Sequence, residues 1–504
     1  MAFIQNVPFF SIMISMFSGI VSSILSEKWA KRLNTAVILT VGVMSGALLL
    51  WLCKTGCGSY IFMMGHFPAP WGNEIRAGVL EAGMAMFFCI VMLLSMTGGR
   101  KKLFDEVEYS KHNIYYILVD MMLSSLLALI YTNDLFTAYV FVEINTIAAC
   151  GLIMIRQNGR TIEAAVRYMI MSLLGSGLLL MGICMLYDLT GHLLMSNIKE
   201  AMAQIMANGT YRIPMLVTVG IMTIGLAIKS ALFPCHAWLP DAYGYSTVSS
   251  AAMLSSLVSK GYIFLLIKIF YRVIGLEIIY TSHIIGILFM FGLCGMLFGS
   301  FSAIGEKDIR RMIAFSSVAQ IGYIYMGFGL GTQDGMVASV YHILVHAATK
   351  SLLFISAIGL TDVSGGSRSF FALNGSGYRN KIAGVGFAVG SLSMVGIPSF
   401  SGFVSKLLFA RAAIINPTWK MFPTVIVLAV STILNAIYFL KTVIRIYTPE
   451  DPAVEEEKGY YSIRWNKQKL YTVTIILFVI LNLILGMNSQ PIIHLIETGL
   501  ANFA

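Results

Sequence analysis

Fourteen long apolar stretches divide the chain, and they constrain its fold more than any other feature. A helix needs about 20 mainly apolar residues to cross a bilayer. The stretches lie at about 3–25, 34–53, 78–97, 114–131, 134–155, 162–188, 213–245, 246–271, 280–304, 310–330, 335–360, 382–411, 421–447 and 470–489. The longest segments between them (54–77, 189–212, 361–381 and 448–469) are predicted to be loops or surface helices. The sequence therefore predicts an all-α polytopic membrane protein with about 14 transmembrane helices, called spans 1 to 14 in chain order.

The distribution of charge agrees with this prediction. Only 12% of the 504 residues are charged, about half of the roughly 25% typical of soluble proteins. A soluble enzyme, a disordered protein and, despite the net charge of +10, a nucleic-acid binder are excluded. Of the 34 Lys and Arg residues, 19 follow odd-numbered spans, 7 lie on the opposite side and 8 lie within spans. Because Lys and Arg concentrate in cytoplasmic loops, we expect both termini on the non-cytoplasmic side of the membrane.

Five ionisable side chains are predicted deep in the bilayer. They are Glu143 in span 5, Lys229 in span 7, Lys260 in span 8, Lys350 in span 11 and Lys406 in span 12. A charge at mid-membrane costs about 2.5–3.5 kcal/mol on insertion scales, so a transport role is favoured over structural ion pairing. The other basic residues within spans lie near span ends, where they can extend to the interface; they are Arg167, Lys268, Lys441 and Arg445. We expect Lys268→Ala to be nearly silent.

Two spans contain predicted breaks beside such lysines. Pro234 interrupts span 7 after Lys229, and Pro398 interrupts span 12 before Lys406. Proline removes a backbone donor and clashes with the preceding turn, so a helix break is expected at each. Interrupted hydrophobic segments at corresponding places in two halves indicate the ion path of an inverted-repeat transporter.

Span 11 carries a polar stripe. His342, His346 and Lys350 are spaced i, i+4 and i+8, which places them on one helical face. Buried core histidines and a metal-binding pair are alternatives, but no carboxylate accompanies the pair on this face. Because histidine titrates near neutral pH, the stripe favours a hydrated proton relay.

The segment from Lys229 to Ala242 (KSALFPCHAWLPDA) strongly resembles the signature of the antiporter-like membrane subunits. This family is shared by respiratory complex I, energy-converting membrane-bound hydrogenases and Mrp-type Na⁺/H⁺ antiporters. The resemblance covers nearly the whole chain. Further matches are Glu143, Lys260–Gly261–Tyr262, the stripe of span 11, and Gly396–Ile397–Pro398 with Gly402, Phe403 and Lys406.

The resemblance implies inverted five-helix repeats of spans 4–8 and 9–13, with spans 7 and 12 discontinuous. The expected divisions are an N-terminal three-helix segment (1–113), the two repeats (114–271 and 280–447) and a C-terminal loop with span 14 (448–504). It further implies that Glu143 and Lys229 form a pair that modulates proton affinity and that Lys260 is the central relay. His342, His346 and Lys350 would continue the path, and Lys406 would be its terminal proton site.

The chain departs from the family pattern at two places in the cytoplasmic half-channel. Tyr243 replaces the usual histidine after Asp241–Ala242, and the segment Ser246–Ser250 replaces a proline-rich start of span 8. These departures put the details of that half-channel in doubt and leave the fold unaffected.

Three functions remain open at this point. The favoured one is a subunit of a redox-driven complex that translocates protons, or both protons and Na⁺. The chain has no iron–sulfur cysteine run and no dinucleotide fingerprint, so iron–sulfur, flavin or nickel–iron centres would belong to partner subunits. The second is a subunit of an Mrp-type antiporter without redox partners, and the third is an inert membrane scaffold. In the first two, the expected partners are other hydrophobic subunits, including further antiporter-like chains, and membrane lipid.

Overall fold

The computed structural model describes residues 2–64, 67, 72–209, 211–450, 460–463 and 468–503. Within them, twelve helices are long and apolar enough to cross a membrane. They correspond to spans 2 to 6, the first part of span 7, spans 8 to 11, and spans 13 and 14. The prediction of an all-α polytopic membrane fold is confirmed. Spans 1 and 12 consist of shorter apolar helices, and the count of fourteen crossings stays a prediction.

The observed helices follow the predicted spans closely. Their bounds are Val7–Ser22 (span 1), Glu27–Thr55 (2), Val79–Glu106 (3), His112–Tyr131 (4), Leu135–Met154 (5), Gly159–Thr190 (6), Arg212–Lys229 and Leu239–Tyr245 (7), Val248–Ile274 (8), Ile284–Gly305 (9), Ile309–Gly329 (10), Gln333–Asp362 (11), Lys381–Val395 and Ser401–Ile415 (12), Met421–Ile446 (13) and Lys469–Met487 (14).

The connecting segments contain short helices and one hairpin. Strands β1 (Ser59–Met63) and β2 (Glu74–Gly78) pair antiparallel between spans 2 and 3, where the sequence analysis did not anticipate strands. The short helices in connecting segments are Tyr109–Lys111 (a 3₁₀ helix), Met195–Asn208, Leu276–Thr281 and Ser376–Arg379. Ala2–Gln5 precedes span 1, and Ser489–Ala501 follows span 14. Three basic residues counted on the predicted cytoplasmic side lie outside the described residues; they are Lys458, Arg464 and Lys467.

Span 7 is broken earlier than predicted. Its first helix ends at Lys229, and the second begins at Leu239. The ring of Pro234 would clash with the carbonyl group of the residue four positions earlier, Ser230, if the helix continued. The break therefore begins directly after Lys229 and not at the proline itself.

Span 12 is broken where the sequence predicts. The helix Lys381–Val395 ends with Gly396 in the left-handed conformation (φ +90°). The amide groups of Gly396 and Ile397 donate to carbonyl groups of the last turn, the amide of Ile397 to Leu392. This glycine-terminated C-cap satisfies carbonyl groups that a helix end leaves free.

Spans 8 and 11 form the centre of the fold. The most apolar stretch of each of these two spans is completely buried inside the protein. Span 8 contains two π-helical segments, Leu254–Val258 and Phe270–Ile274. Such segments often occur at functional sites, and the first of them ends two residues before Lys260.

A buried ion pair joins spans 3 and 8. Nη2 of Arg272 lies 2.5 Å from Oε1 of Glu81, and both side chains are at most 2% exposed. The guanidinium group of Arg272 also lies 4.0 Å from the centre of the Phe503 ring. Sequence analysis did not single out Glu81.

Lys268 does not reach the interface, so that prediction is wrong. Its side chain is fully buried, and its ammonium group donates to the carbonyl oxygens of Leu129 (3.2 Å), Ile130 (3.0 Å) and Thr132. These carbonyl groups lie at the C-terminal end of span 4, where backbone acceptors lack helical partners. Lys268 therefore caps span 4.

We consequently expect Lys268→Ala to destabilise the protein by about 2 kcal/mol, because it leaves buried carbonyl groups without a charged donor. The midpoint of thermal unfolding of the purified protein should fall, while transport per folded molecule is retained. Lys101→Ala, at an exposed lysine of span 3, is the control. An unchanged midpoint in Lys268→Ala would contradict the capping role.

Candidate functional site

Lys229 approaches span 5 because spans 6 and 7 pack closely. A Cβ atom at Gly175 would lie 2.8 Å from the carbonyl oxygen of Gly225, and one at Gly225 would lie 2.6 Å from that of Gly175. Only glycine permits this approach of the two backbones. Lys229, one turn after Gly225, is thereby held with its side chain buried against span 5.

The ammonium group of Lys229 contacts two residues of span 5. Nζ donates to Oγ1 of Thr146 at 2.8 Å and lies 3.7 Å from Oε1 of Glu143. The Glu143 side chain is 23% exposed, whereas that of Lys229 is buried. The pair therefore joins the interior of the chain to its lateral surface.

Hydrogen bonds continue from Lys229 toward span 4. The hydroxyl oxygens of Thr146 and Tyr262 are 3.4 Å apart, Tyr262 donates to Oδ1 of Asn145 at 3.2 Å, and Nδ2 of Asn145 donates to Oγ of Ser125 at 2.8 Å. Sequence analysis missed this network. Polar side chains inside apolar spans were its signal, since buried polar groups require partners.

Lys260 is fully buried next to the π-helical segment of span 8. Its ammonium group donates to the carbonyl oxygen of Ser255. The adjacent Ser256 accepts a hydrogen bond from Ser351 of span 11 at 3.0 Å. Lys260 thus lies in a hydroxyl-lined region between the two central spans.

The three residues of the span 11 stripe are all buried. The rings of His342 and His346 are nearly parallel, with centres 6.1 Å apart. Nδ1 of His342 lies 2.5 Å from Oγ of Ser405 in span 12. Neither ring nitrogen of His346 has a hydrogen-bond partner among the described residues. Because buried polar groups normally have partners, this face suits bound water.

Lys350 lies at the far end of the stripe. Its ammonium group donates to the carbonyl oxygen of Ile313 at 2.9 Å and to the hydroxyl of Ser316. Both acceptors belong to span 10. Lys350 therefore joins the stripe to a neighbouring span through neutral groups.

Lys406 reaches back to the break of span 12. Nζ donates to the carbonyl oxygen of Val395 at 2.7 Å and to Oγ1 of Thr432 in span 13 at 3.0 Å. It also lies 5.7 Å from the centre of the Tyr323 ring, which stacks on His342. Tyr323 and Ser405 thus connect Lys406 with the stripe.

Gly396 leaves space for the Lys406 side chain. A Cβ atom there would lie 2.9 Å from Cδ of Lys406, at a backbone conformation that costs other residues about 1–2 kcal/mol. We expect Gly396→Ala to displace the ammonium group and to lower transport roughly tenfold. Gly177→Ala, at a helical glycine with open space around it, is the matched control. Equal transport rates in the two variants would contradict this role of Gly396.

The predicted residues differ in their ionic partners. Lys229 has Glu143, whereas Lys260, Lys350 and Lys406 form no salt bridge with any described residue. Structural ion pairing therefore does not account for these three lysines. Within the same residues, no group of three or more His, Cys, Asp or Glu side chains is placed to hold a metal ion.

Arg167, one of the basic residues expected near span ends, belongs to a surface network of ion pairs. Arg167 is exposed and pairs with Glu163 (2.6 Å) and with Asp241 (2.8 Å) of the span 7 motif. Asp241 also pairs with Arg311, which in turn contacts Glu306. Sequence analysis identified Asp241 only as part of the span 7 motif and did not single out Arg311.

The chain is similar to known membrane proteins. Residues 132–435 match the family described as "NADH:quinone oxidoreductase/Mrp antiporter, TM". The chain is 30% identical to NADH-quinone oxidoreductase subunit N of Desulforudis audaxviator, covering 88% of this chain and 86% of the relative. It is 26% identical to a Na(+)/H(+) antiporter subunit of Alkalihalophilus pseudofirmus, covering 86% and 84%.

Two solved structures have the same fold at 23% identity. One is the Mrp complex from Dietzia sp. DQ12-45-1b, with a TM-score of 0.86, and the other is the archaeal membrane-bound sulfane sulfur reductase, with a TM-score of 0.82. Each match covers 100% of this chain and 98% of the other. The chain therefore belongs to the family of membrane subunits shared by NADH:quinone oxidoreductases and Mrp antiporters.

Proposed function

We propose that this chain translocates protons across the membrane as one subunit of a larger complex. The observation that carries the proposal is that three lysines contact only neutral groups among the described residues: the buried Lys260 and Lys350 and the partly buried Lys406. A permanently charged lysine would be costly there, so these groups suit reversible protonation.

The proposed path runs from Glu143 and Lys229 through Lys260 to the span 11 stripe. His346 and His342 carry the proton onward, Lys350 flanks them, and Lys406 is the terminal site. The contact of His342 with Ser405, and the position of Tyr323 between His342 and Lys406, support the last step. Spans 4–8 and 9–13 are the proposed inverted repeats, within the divisions 1–113, 114–271, 280–447 and 448–504.

The Glu143–Lys229 pair is the proposed control point. A nearby carboxylate favours the charged form of a lysine, whereas burial disfavours it. A change in the separation of the two groups would therefore bind or release a proton. The partial exposure of Glu143 supports control by a neighbouring subunit at this surface.

We favour a redox-driven complex over an Mrp-type antiporter. The higher identity to the NADH-quinone oxidoreductase relative than to the Na(+)/H(+) antiporter relative supports this order. In the first case, iron–sulfur, flavin or nickel–iron centres lie in partner chains. In the second, the same path is coupled to Na⁺. In both cases, the proposed location of the chain is a bacterial or archaeal cell membrane, with its termini on the non-cytoplasmic side.

Purification in mild detergent from native membranes distinguishes the two cases. The co-purifying chains are identified by mass spectrometry, and their metal and flavin contents are measured. Partners with redox centres are the expected result. Recovery of small hydrophobic partners alone would instead establish the Mrp-type alternative. An inert scaffold would be indicated only if an assembled Lys229→Ala complex transported protons normally.

A further inference from the structure

A buried carboxyl group also lies outside the proposed path. Asp120 of span 4 is completely buried between spans 1 and 2. Its Oδ2 accepts a hydrogen bond from Oγ of Ser18 at 2.8 Å, and its Oδ1 accepts one from Nδ2 of Asn34 at 2.6 Å. Ser18 and Asn34 are themselves at most 4% exposed. Three spans thus converge on one carboxyl group.

No described residue forms a salt bridge with Asp120. An isolated ionised carboxylate is costly to bury, and such groups are normally paired or neutralised. Ser18 and Asn34 are neutral, so they satisfy the oxygen atoms without balancing a charge. A proton can balance it.

The site can satisfy Asp120 in either protonation state. In the present arrangement Oδ1 of Asn34 is buried without a hydrogen-bond partner among the described residues. Rotation of the Asn34 amide by a half-turn would turn this oxygen toward Asp120, where it could accept the proton of a carboxylic acid. The hydroxyl of Ser18 can likewise donate or accept.

Asp120 faces away from the proposed path. Ser125, which accepts the hydrogen bond from Asn145, follows five residues later and lies about 140° around the helix. Leu126, which contacts Gly261 of span 8, and Leu129, whose carbonyl binds Lys268, are also on the far side. The ionisable groups of spans 5 and 8 are therefore separated from Asp120 by span 4 itself.

The remaining ionisable groups near Asp120 lie toward one end of the bundle. Span 1 carries none. His112 and Tyr116 precede Asp120 by eight and four residues on the same face of span 4. Nδ1 of His112 lies 3.4 Å from Oε1 of Glu27 at the start of span 2, whose side chain is 18% exposed. Lys31 of span 2 lies over the Phe104 ring.

We propose that Asp120 is a second protonation site, separate from the Lys229–Lys406 path, that exchanges its proton through the end of the bundle marked by His112 and Glu27. Ser18 and Asn34 are its positioning residues. This inference does not depend on the proposed function, because proton binding at Asp120 can be measured without transport.

Infrared spectroscopy of the intact complex in membranes tests the proposal directly. A carboxylic-acid carbonyl band should appear at low pH and disappear reversibly between about pH 5 and about pH 9. It should be absent in Asp120→Asn and retained in Asp134→Asn, which alters the carboxylate that caps span 5. A band that persists throughout this range, or one that Asp120→Asn leaves unchanged, would overturn the proposal.

A second variant keeps the test valid if Asp120→Asn fails to assemble. Ser18→Ala removes one donor to the ionised carboxylate and retains the carboxyl group. The band of Ser18→Ala should persist to higher pH than that of the wild type. An identical pH dependence in Ser18→Ala and wild type would argue against Ser18 as a positioning residue and against this two-state site.

Discussion

Lys229→Ala is expected to reduce proton transport by the intact complex to below about one tenth of the wild-type rate. The substitution removes the only buried cation that contacts Glu143 among the described residues and the donor to Thr146. Transport is measured as dye-reported proton uptake into inverted membrane vesicles. Assembly is measured separately by native electrophoresis of the solubilised complex.

Lys54→Ala is the matched control for Lys229→Ala. Lys54 lies at the C-terminal end of span 2, and its side chain is exposed. Its removal should therefore change neither transport nor assembly. Normal transport in an assembled Lys229→Ala complex would contradict the proposed path and would revive the scaffold alternative.

Glu143→Gln should cause a comparably large loss of coupled transport. The change keeps the size of the side chain and removes its charge 3.7 Å from Lys229. A carboxylate within about 4–6 Å changes the proton affinity of its partner by roughly tenfold or more. The initial rate of proton uptake should therefore fall about tenfold, with the complex still assembled.

Glu163→Gln provides the comparison for Glu143→Gln. Glu163 is an exposed partner of Arg167 on span 6, and surface ion pairs contribute little. The two variants make the same chemical change at a half-buried and at an exposed site. Similar rates in both would mean that the charge of Glu143 has no part in transport.

The broken spans could be predicted because proline acts locally. Pro398 and Gly396 give the position of the second break correctly, and Pro234 gives the first to within five residues. The lysines within spans and the span 11 stripe could also be identified from the sequence, because a charge within an apolar stretch is visible there.

Contacts between distant spans could not be predicted in this way. The burial of Lys268 depends on the end of span 4, which lies 136 to 139 positions earlier in the chain. Glu81 and Arg272 are 191 residues apart, and Asp120 is bound by residues of spans 1 and 2. Position along a span does not reveal which partners surround a side chain.

The lysines within the spans also differ in how many of their N–H groups have acceptors. A lysine ammonium has three such groups. In Lys268 all three have carbonyl acceptors, whereas Lys406 has a carbonyl and a hydroxyl acceptor, and Lys260 has a single carbonyl among the described residues. A lysine whose donors are all occupied by carbonyl groups is held in one position. A lysine with a donor to spare can pass a proton to water or to a neighbouring side chain. Saturation of the ammonium group therefore distinguishes Lys268 from Lys260 and Lys406 of the proposed path.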